Sequence, residues 1–242
     1  MMNVDCQEIL DTLGYIAAQR RSVNLLTNFR GVPIEITAHL MRIARLPVQV
    51  HLFAHHRQIV ALQTAALVLV QSELFHRPVA ARVARLDPLR QTLSLGELAY
   101  TSGSMGQRRH PRAQPEHPLS AELNIDDGFR LNGRVIDVSL DGLSICITPD
   151  PLPVDQIFSP GTPLQVDLGL PGQTGQIVDL QIPAQVAYAT PCSEPHCTRI
   201  GLLTRPEDAA QHLLRRYIFD RQTAILAEIQ ALNQELLQPI PA

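Results

Sequence analysis

From Val32 onward the apolar residues of this chain fall at every second position, in short runs broken by turn-forming residues. Val32, Ile34, Ile36, Ala38 and Leu40 alternate with other types, and Leu46, Val48, Val50 and Leu52 alternate again. A period of two puts one set of side chains on one face of an extended strand, so such runs predict strands with a buried and an open face. Gln58–Leu62, Ala66–Val70, Val79–Leu86 and Gln91–Leu98 are further strand candidates, punctuated by His55-His56-Arg57 and Asp87-Pro88. Several short strands at this spacing predict a small β-barrel. Before them, Ile9, Leu10, Leu13, Ile16 and Ala17 recur at helical spacing. Leu25, Leu26 and Phe29 extend that face, so a helix is expected over residues 1 to about 30, ended by Gly31.

Alternation stops at Thr101 and resumes at Leu119. The stretch between carries Gly106-Gln107-Arg108-Arg109-His110-Pro111-Arg112, with Pro115 and Pro118 behind it. Gly and repeated Pro break both helix and central strand, so this is an exposed, extended arm. Arg108, Arg109 and Arg112 concentrate positive charge on it. A guanidinium offers paired donors that fit a phosphate or the O6/N7 edge of guanine.

Beyond the arm, strands are predicted over Leu119–Ile125, Arg130–Ile136, Leu143–Ile147, Leu164–Leu168, Ile177–Ala187 and Arg199–Leu203, with a turn at Asp126-Asp127-Gly128. They make a second small barrel. Thr204-Arg205-Pro206-Glu207 has the form of a capping box and opens a long final helix. Its stripe of Leu214, Ile218, Ile225, Ile229, Leu232 and Leu236 either docks on the second barrel or on the N-terminal domain, or forms a dimerising coiled coil, giving a homodimer. The chain is therefore expected to be mainly β. Its divisions are an N-terminal helix with a barrel (1–103), an arginine-bearing arm (104–118), and a second barrel with the C-terminal helix (119–242).

Composition narrows the function. The formal net charge is −3 and the pI about 6.3, which argues against a general nucleic-acid surface. The longest apolar run, Ala65–Val70, is far too short for a bilayer span, and Met1–Asp5 lacks a signal-peptide pattern. A cytoplasmic location without membrane insertion is expected. Cys6, Cys146, Cys192 and Cys197 are too scattered for a disulfide scaffold and are expected to stay reduced. Cys192, His196 and Cys197 share one loop, and Cys146 could add a fourth metal ligand, but an ordinary barrel loop is the simpler reading. No nucleophile elbow, P-loop or His-Glu-x-x-His motif is present, so neither an enzyme nor a cofactor is expected.

The candidate binding residues come in two groups. Arg-x-x-x-Arg alone is weak, since Arg130 and Arg134 share the spacing on a solvated strand face. What distinguishes Arg108…Arg112 is the later Asp137-Val138-Ser139-Leu140-Asp141-Gly142. In an extended strand end Asp137 and Ser139 share a face; a carboxylate accepts, and a hydroxyl donates and accepts. Gly142 permits a turn or a close backbone approach.

These two motifs, in this order, resemble the PilZ domain, the bacterial receptor module for cyclic di-GMP. The likeness covers residues 104 to 222 and includes Arg199-Ile200-Gly201-Leu202 and the later Arg216-Tyr217-Ile218 and Arg221-Gln222. The barrel ahead of the arm resembles the split-barrel domain of flagellar-brake-type members. The resemblance implies a second, six-stranded barrel of PilZ type. It implies cyclic di-GMP as ligand, with Arg108 and Arg112 on guanine edges and phosphates, Asp137 and Ser139 on another guanine edge, and Gly142 keeping the turn open. Arg109 would assist or face water. It further implies that ligand binding reorients the barrels and so engages a protein partner in flagellar, pilus or polysaccharide-export machinery. The alternative is a ligand-independent PilZ-like interaction module.

Overall fold

The computed structural model describes residues 4–45, 47–54, 57–65, 67–102, 110–125, 128–148, 157–172, 176–192 and 197–237. They form two units, Met1–Arg108 with Ile225–Ala242, and Arg109–Ala224.

The first unit opens with helix α1 (Val4–Ala18), which buries Ile9, Leu10, Leu13 and Ile16. Arg20 follows with a positive φ of 52°, where a helix cannot continue. Six strands then close into a barrel in the order β1-β2-β3-β6-β5-β4. They are β1 (Ser22–Phe29), β2 (Val32–Arg45), β3 (Val48–Phe53), β4 (Val68–Gln71), β5 (Val79–Asp87) and β6 (Thr92–Tyr100).

Two sequence expectations give way here. The segment expected to extend the first helix is strand β1. Leu25 and Phe29 are four apart, which suits a helix, but Val23, Leu25 and Phe29 are buried at a period of two. Phe29 pairs with Val32 across Arg30-Gly31, whose φ values of 49° and 92° make a two-residue primed hairpin turn. Gly31 therefore turns a hairpin and does not end a helix. The strand expected at Gln58–Leu62 is a 3₁₀ helix, Arg57–Thr64. Ile59, Val60, Ala61 and Leu62 are all buried, a pattern no strand with one open face could give.

The second unit is another closed barrel, ordered β10-β11-β12-β9-β8-β7. Its strands are β7 (Ser120–Ile125), β8 (Phe129–Val138), β9 (Gly142–Ile147), β10 (Pro163–Pro171), β11 (Ile177–Pro191) and β12 (Thr198–Thr204). Leu123, Val135, Ile145, Val166, Ile182 and Ile200 fill its core. The expected turn at Asp126-Asp127 lies outside the described residues.

Helix α2 (Asp208–Leu237) starts later than the capping pattern at Thr204 predicts. Thr204 is the last residue of β12, its N–H donates to the Asp141 carbonyl and its buried hydroxyl caps nothing, while the Glu207 carbonyl accepts from Gln211 at the helix start. Leu214 and Ile218 are buried in the core of the second unit, and Ile225 and Ile229 in that of the first. The stretch 119–242 is thus divided at Ile225, the first part of α2 going with the second unit and the rest with the first. Leu232 lies off the stripe at 38% exposure, and the buried positions continue through Asn233. No helix among the described residues is long and apolar enough to cross a membrane.

Candidate functional site

Strand β8 sets the site. Its register against β9 shifts between Val135 and Asp137, a bulge that places one extra residue opposite its partner. Strict alternation would send Val135 and Asp137 to the same face. The shift instead lets Val135 and Val138 both enter the core. Asp137 goes to the outer face of the sheet, paired with Ser144.

The end of the arm docks on this strand. Ala113 and Val138 exchange both backbone hydrogen bonds, at 2.9 and 3.0 Å. That bridge fixes the residue before it, Arg112, whose Nη1 donates to Asp137 Oδ1 at 3.1 Å. Arg199, on β12, donates from Nη2 to Asp137 Oδ2 at 2.7 Å and from Nε to Ser144 Oγ at 2.6 Å. One buried carboxylate therefore holds two guanidiniums side by side, with Arg112 and Arg199 still partly open to solvent. Two positive charges around one negative leave a local excess of one. Each guanidinium has five N–H donors, and these bonds use only some of them. The arrangement suits an anion with acceptor groups at two points.

Arg199 is the member that the motifs alone did not single out as a site residue. Its signal was its place on a strand whose partner could not be read from sequence: β12 pairs with β9, opposite Ser144 and Cys146.

Ser139 is engaged within the β8–β9 turn, and Gly142 makes the close backbone approach that its residue type allows. Ser139 is 1% exposed. Its hydroxyl lies 2.9 Å from Asp141 Oδ1 and 3.0 Å from the Gly142 carbonyl, and its N–H donates to the same carbonyl at 2.8 Å. In this arrangement it ties the β8–β9 turn together, and Asp141 belongs to that turn. A Cβ on Gly142 would stand 2.7 Å from the Leu202 carbonyl oxygen, so glycine is required by the close approach of β12. Arg108 and Arg109 lie outside the described residues. Arg130 pairs with Glu122 at 3.2 Å on an exposed face, as its strand position suggested.

A buried arginine holds the arm from the other side. Arg221, on α2, is 5% exposed; its Nε donates to the Gln114 carbonyl at 2.9 Å and its Nη1 to Glu116 at 3.4 Å. Beside it is a groove of about 540 Å³, bordered by Leu119, Leu170, Val178, Leu213 and Tyr217. Burial pushes the Tyr217 hydroxyl up from its usual pKa, with Arg221 opposing and Glu116 reinforcing. The groove includes none of Arg112, Asp137 or Arg199. The charge-bearing outer face of β8 and β12 is therefore the candidate site, because it has the chemistry to recognise an anion.

A closed six-stranded barrel with an arginine-bearing arm bridged to a bulged strand is the architecture of the second unit. Residues 106–220 match the PilZ domain family. Among solved structures it is similar to YcgR of Escherichia coli in complex with c-di-GMP, at 16% identity and a TM-score of 0.43, covering 93% of each chain. It is also similar to the K. pneumonia MrkH–c-di-GMP complex, at 16% identity and a TM-score of 0.48, covering 92% of this chain and 96% of that one. A third is the Bacillus subtilis inhibitor of motility MotI, at 13% identity and a TM-score of 0.43, covering 84% of this chain and 96% of that one. No curated protein matches the chain.

Proposed function

We propose that this chain is a receptor for cyclic di-GMP, a signal that it binds without chemical change, and that the site is the outer face of β8 and β12 together with the arm. The observation that carries the reading is the pair of guanidiniums, Arg112 and Arg199, held on the buried Asp137 within the stretch that matches the PilZ domain family. Arg108 and Arg112 take guanine edges and phosphates, with Arg109 as a further donor. Arg199 adds its open donors to the same face. Asp137 orients the two guanidiniums, and each of its oxygens keeps a second acceptor position for a guanine N–H. Ser139 and Gly142 hold the turn that presents Asp137.

Calorimetric titration of the full chain with cyclic di-GMP tests this directly. Micromolar or tighter binding is expected, and Arg112→Ala should weaken it by about five- to 150-fold, the scale of one good bidentate base contact of 1–3 kcal/mol. Arg112→Ala should still fold, because its side chain is partly exposed and the Ala113–Val138 bridge is made by backbone. A folded wild-type chain that does not bind would leave a ligand-independent interaction module in its place.

The arm joins the two units, so ligand held by Arg108 and Arg112 favours one arrangement of the units over another. The shift can be no larger than the ligand's difference in affinity for the two arrangements. The preferred arrangement then engages a partner in flagellar, pilus or polysaccharide-export machinery. Small-angle scattering should show a change in radius of gyration when ligand is added; identical curves at saturation would remove the rearrangement from this account.

A further inference from the structure

Three cysteines meet at one rim of the second barrel. Cys146 sits on β9, and Cys192 and Cys197 close the β11–β12 hairpin, where the Cys192 N–H donates to the Cys197 carbonyl at 2.8 Å. Their sulfurs all lie within 4.8 Å of one another. Cys146 and Cys197 are joined as a disulfide, with Cα atoms 6.3 Å apart, inside the range a bridge can span. The expectation of scattered, unpaired thiols fails because β9 and β12 are neighbours in the barrel although the two cysteines are 51 apart in sequence. The Cys192 sulfur stands 3.0 Å from that of Cys197 and 3.7 Å from that of Cys146. His196 lies outside the described residues.

A disulfide needs two of these residues and gives the third nothing to do. Cys192 nevertheless faces both. Tetrahedral Zn²⁺ with Zn–S bonds of about 2.3 Å separates its sulfurs by about 3.8 Å, which is the spacing already present between Cys146 and Cys192. We propose that Cys146, Cys192 and Cys197 form a thiolate site for Zn²⁺ once a thiol or phosphine reductant has supplied the two electrons and two protons that convert the Cys146–Cys197 disulfide to two thiols, the three thiols then losing their protons to solvent as the metal binds. Three thiolates around a divalent ion carry a net charge of −1. Arg134 and Arg199 are the direct cross-strand neighbours of Cys146 and offset it. Cys146 and Cys197 are buried while Cys192 is half-exposed, so the ion enters from the hairpin side. The fourth coordination position is left to water or another donor, as in other three-ligand zinc sites. The site has Arg199 in common with the ligand reading, but metal uptake is measured without any nucleotide, so the two are tested separately.

The full chain, reduced with a phosphine and stripped of metal, is titrated with Zn²⁺ against a chromophoric chelator. One equivalent per chain is expected, and Co²⁺ in its place should show thiolate charge-transfer and strong tetrahedral visible bands. Cys192→Ser and Cys197→Ser should lose both signals, and Cys6→Ser, on α1, should keep them. In the wild-type chain Zn²⁺ should protect three of the four thiols from alkylation and leave Cys6 reactive, a measurement that needs no variant to fold. A reduced chain that yields all Zn²⁺ to the chelator overturns the proposal, and so does a Cys192→Ser variant that retains the full stoichiometry and Co²⁺ spectrum. The first of those results would leave a disulfide beside an idle thiol.

Discussion

Asp137→Ala is expected to lose most of the affinity for the proposed nucleotide and to lower the unfolding temperature of the chain by several degrees. Asp137 is 6% exposed, and both its oxygens are engaged by arginines. Without it, Arg112 and Arg199 face each other with no shared acceptor, and Arg112 loses the carboxylate that aims it. Removing one member of a fully buried ion pair costs about 3–5 kcal/mol. The cost here is smaller, about 2 kcal/mol, because the Arg199 side chain is 39% exposed and water can reach it. Arg199 also keeps its bond to Ser144. Affinity falls further than stability, since two guanidiniums lose their placement at once; a drop of about a hundredfold corresponds to 2.8 kcal/mol. Asp137→Asn separates charge from shape. It keeps one acceptor for one arginine but turns an amide donor toward the other, so both losses should be repeated in part. Titration and thermal unfolding of the two variants check this, and an Asp137→Ala variant that binds as tightly as wild type would show that the carboxylate does not organise the site.

How far the sequence announces this site depends on which interactions are local. The alternation of Leu119–Ile125 and Arg130–Ile136 marks a hairpin whose strands pair from Ile125–Phe129 to Ser120–Arg134, and neighbouring runs can be joined that way without further information. The two motifs point to a contact between the arm and β8, and Arg112 does meet Asp137 across 25 residues. Three things were hidden. The bulge before Asp137 leaves no mark in the apolar pattern, because Val135 and Val138 are both apolar and either register buries something. The β9–β12 pairing joins strands with two others between them in the chain, so neither Arg199 beside Asp137 nor Cys197 beside Cys146 follows from periodicity. Leu25 and Phe29 satisfy helix and strand spacing equally, and the hairpin turn at Arg30-Gly31 decides between them. In each case a long-range pairing or a backbone conformation overrides a local signal.

Gly142→Ala distinguishes a residue that holds the barrel from one that touches ligand. Gly142 pairs with Leu203 across the β9–β12 ladder, and its missing side chain is what lets the Leu202 carbonyl approach. An alanine Cβ would lie 2.7 Å from that oxygen, closer than carbon and oxygen tolerate, and the obstacle is backbone that cannot rotate aside. Relief requires the two strands to part at this rung. Overpacking of this kind costs about 1–3 kcal/mol. The same movement shifts the carbonyl of residue 142, which receives both the N–H and the hydroxyl of Ser139, and so loosens the turn that presents Asp137. Thermal unfolding should therefore fall by several degrees in Gly142→Ala, and any loss of nucleotide affinity should accompany that fall. Hydrogen exchange should rise at the amides of Ser139 and Leu203 while β10 and β11 stay protected. A variant with wild-type stability but no binding would give Gly142 a direct part in recognition and would contradict the packing account.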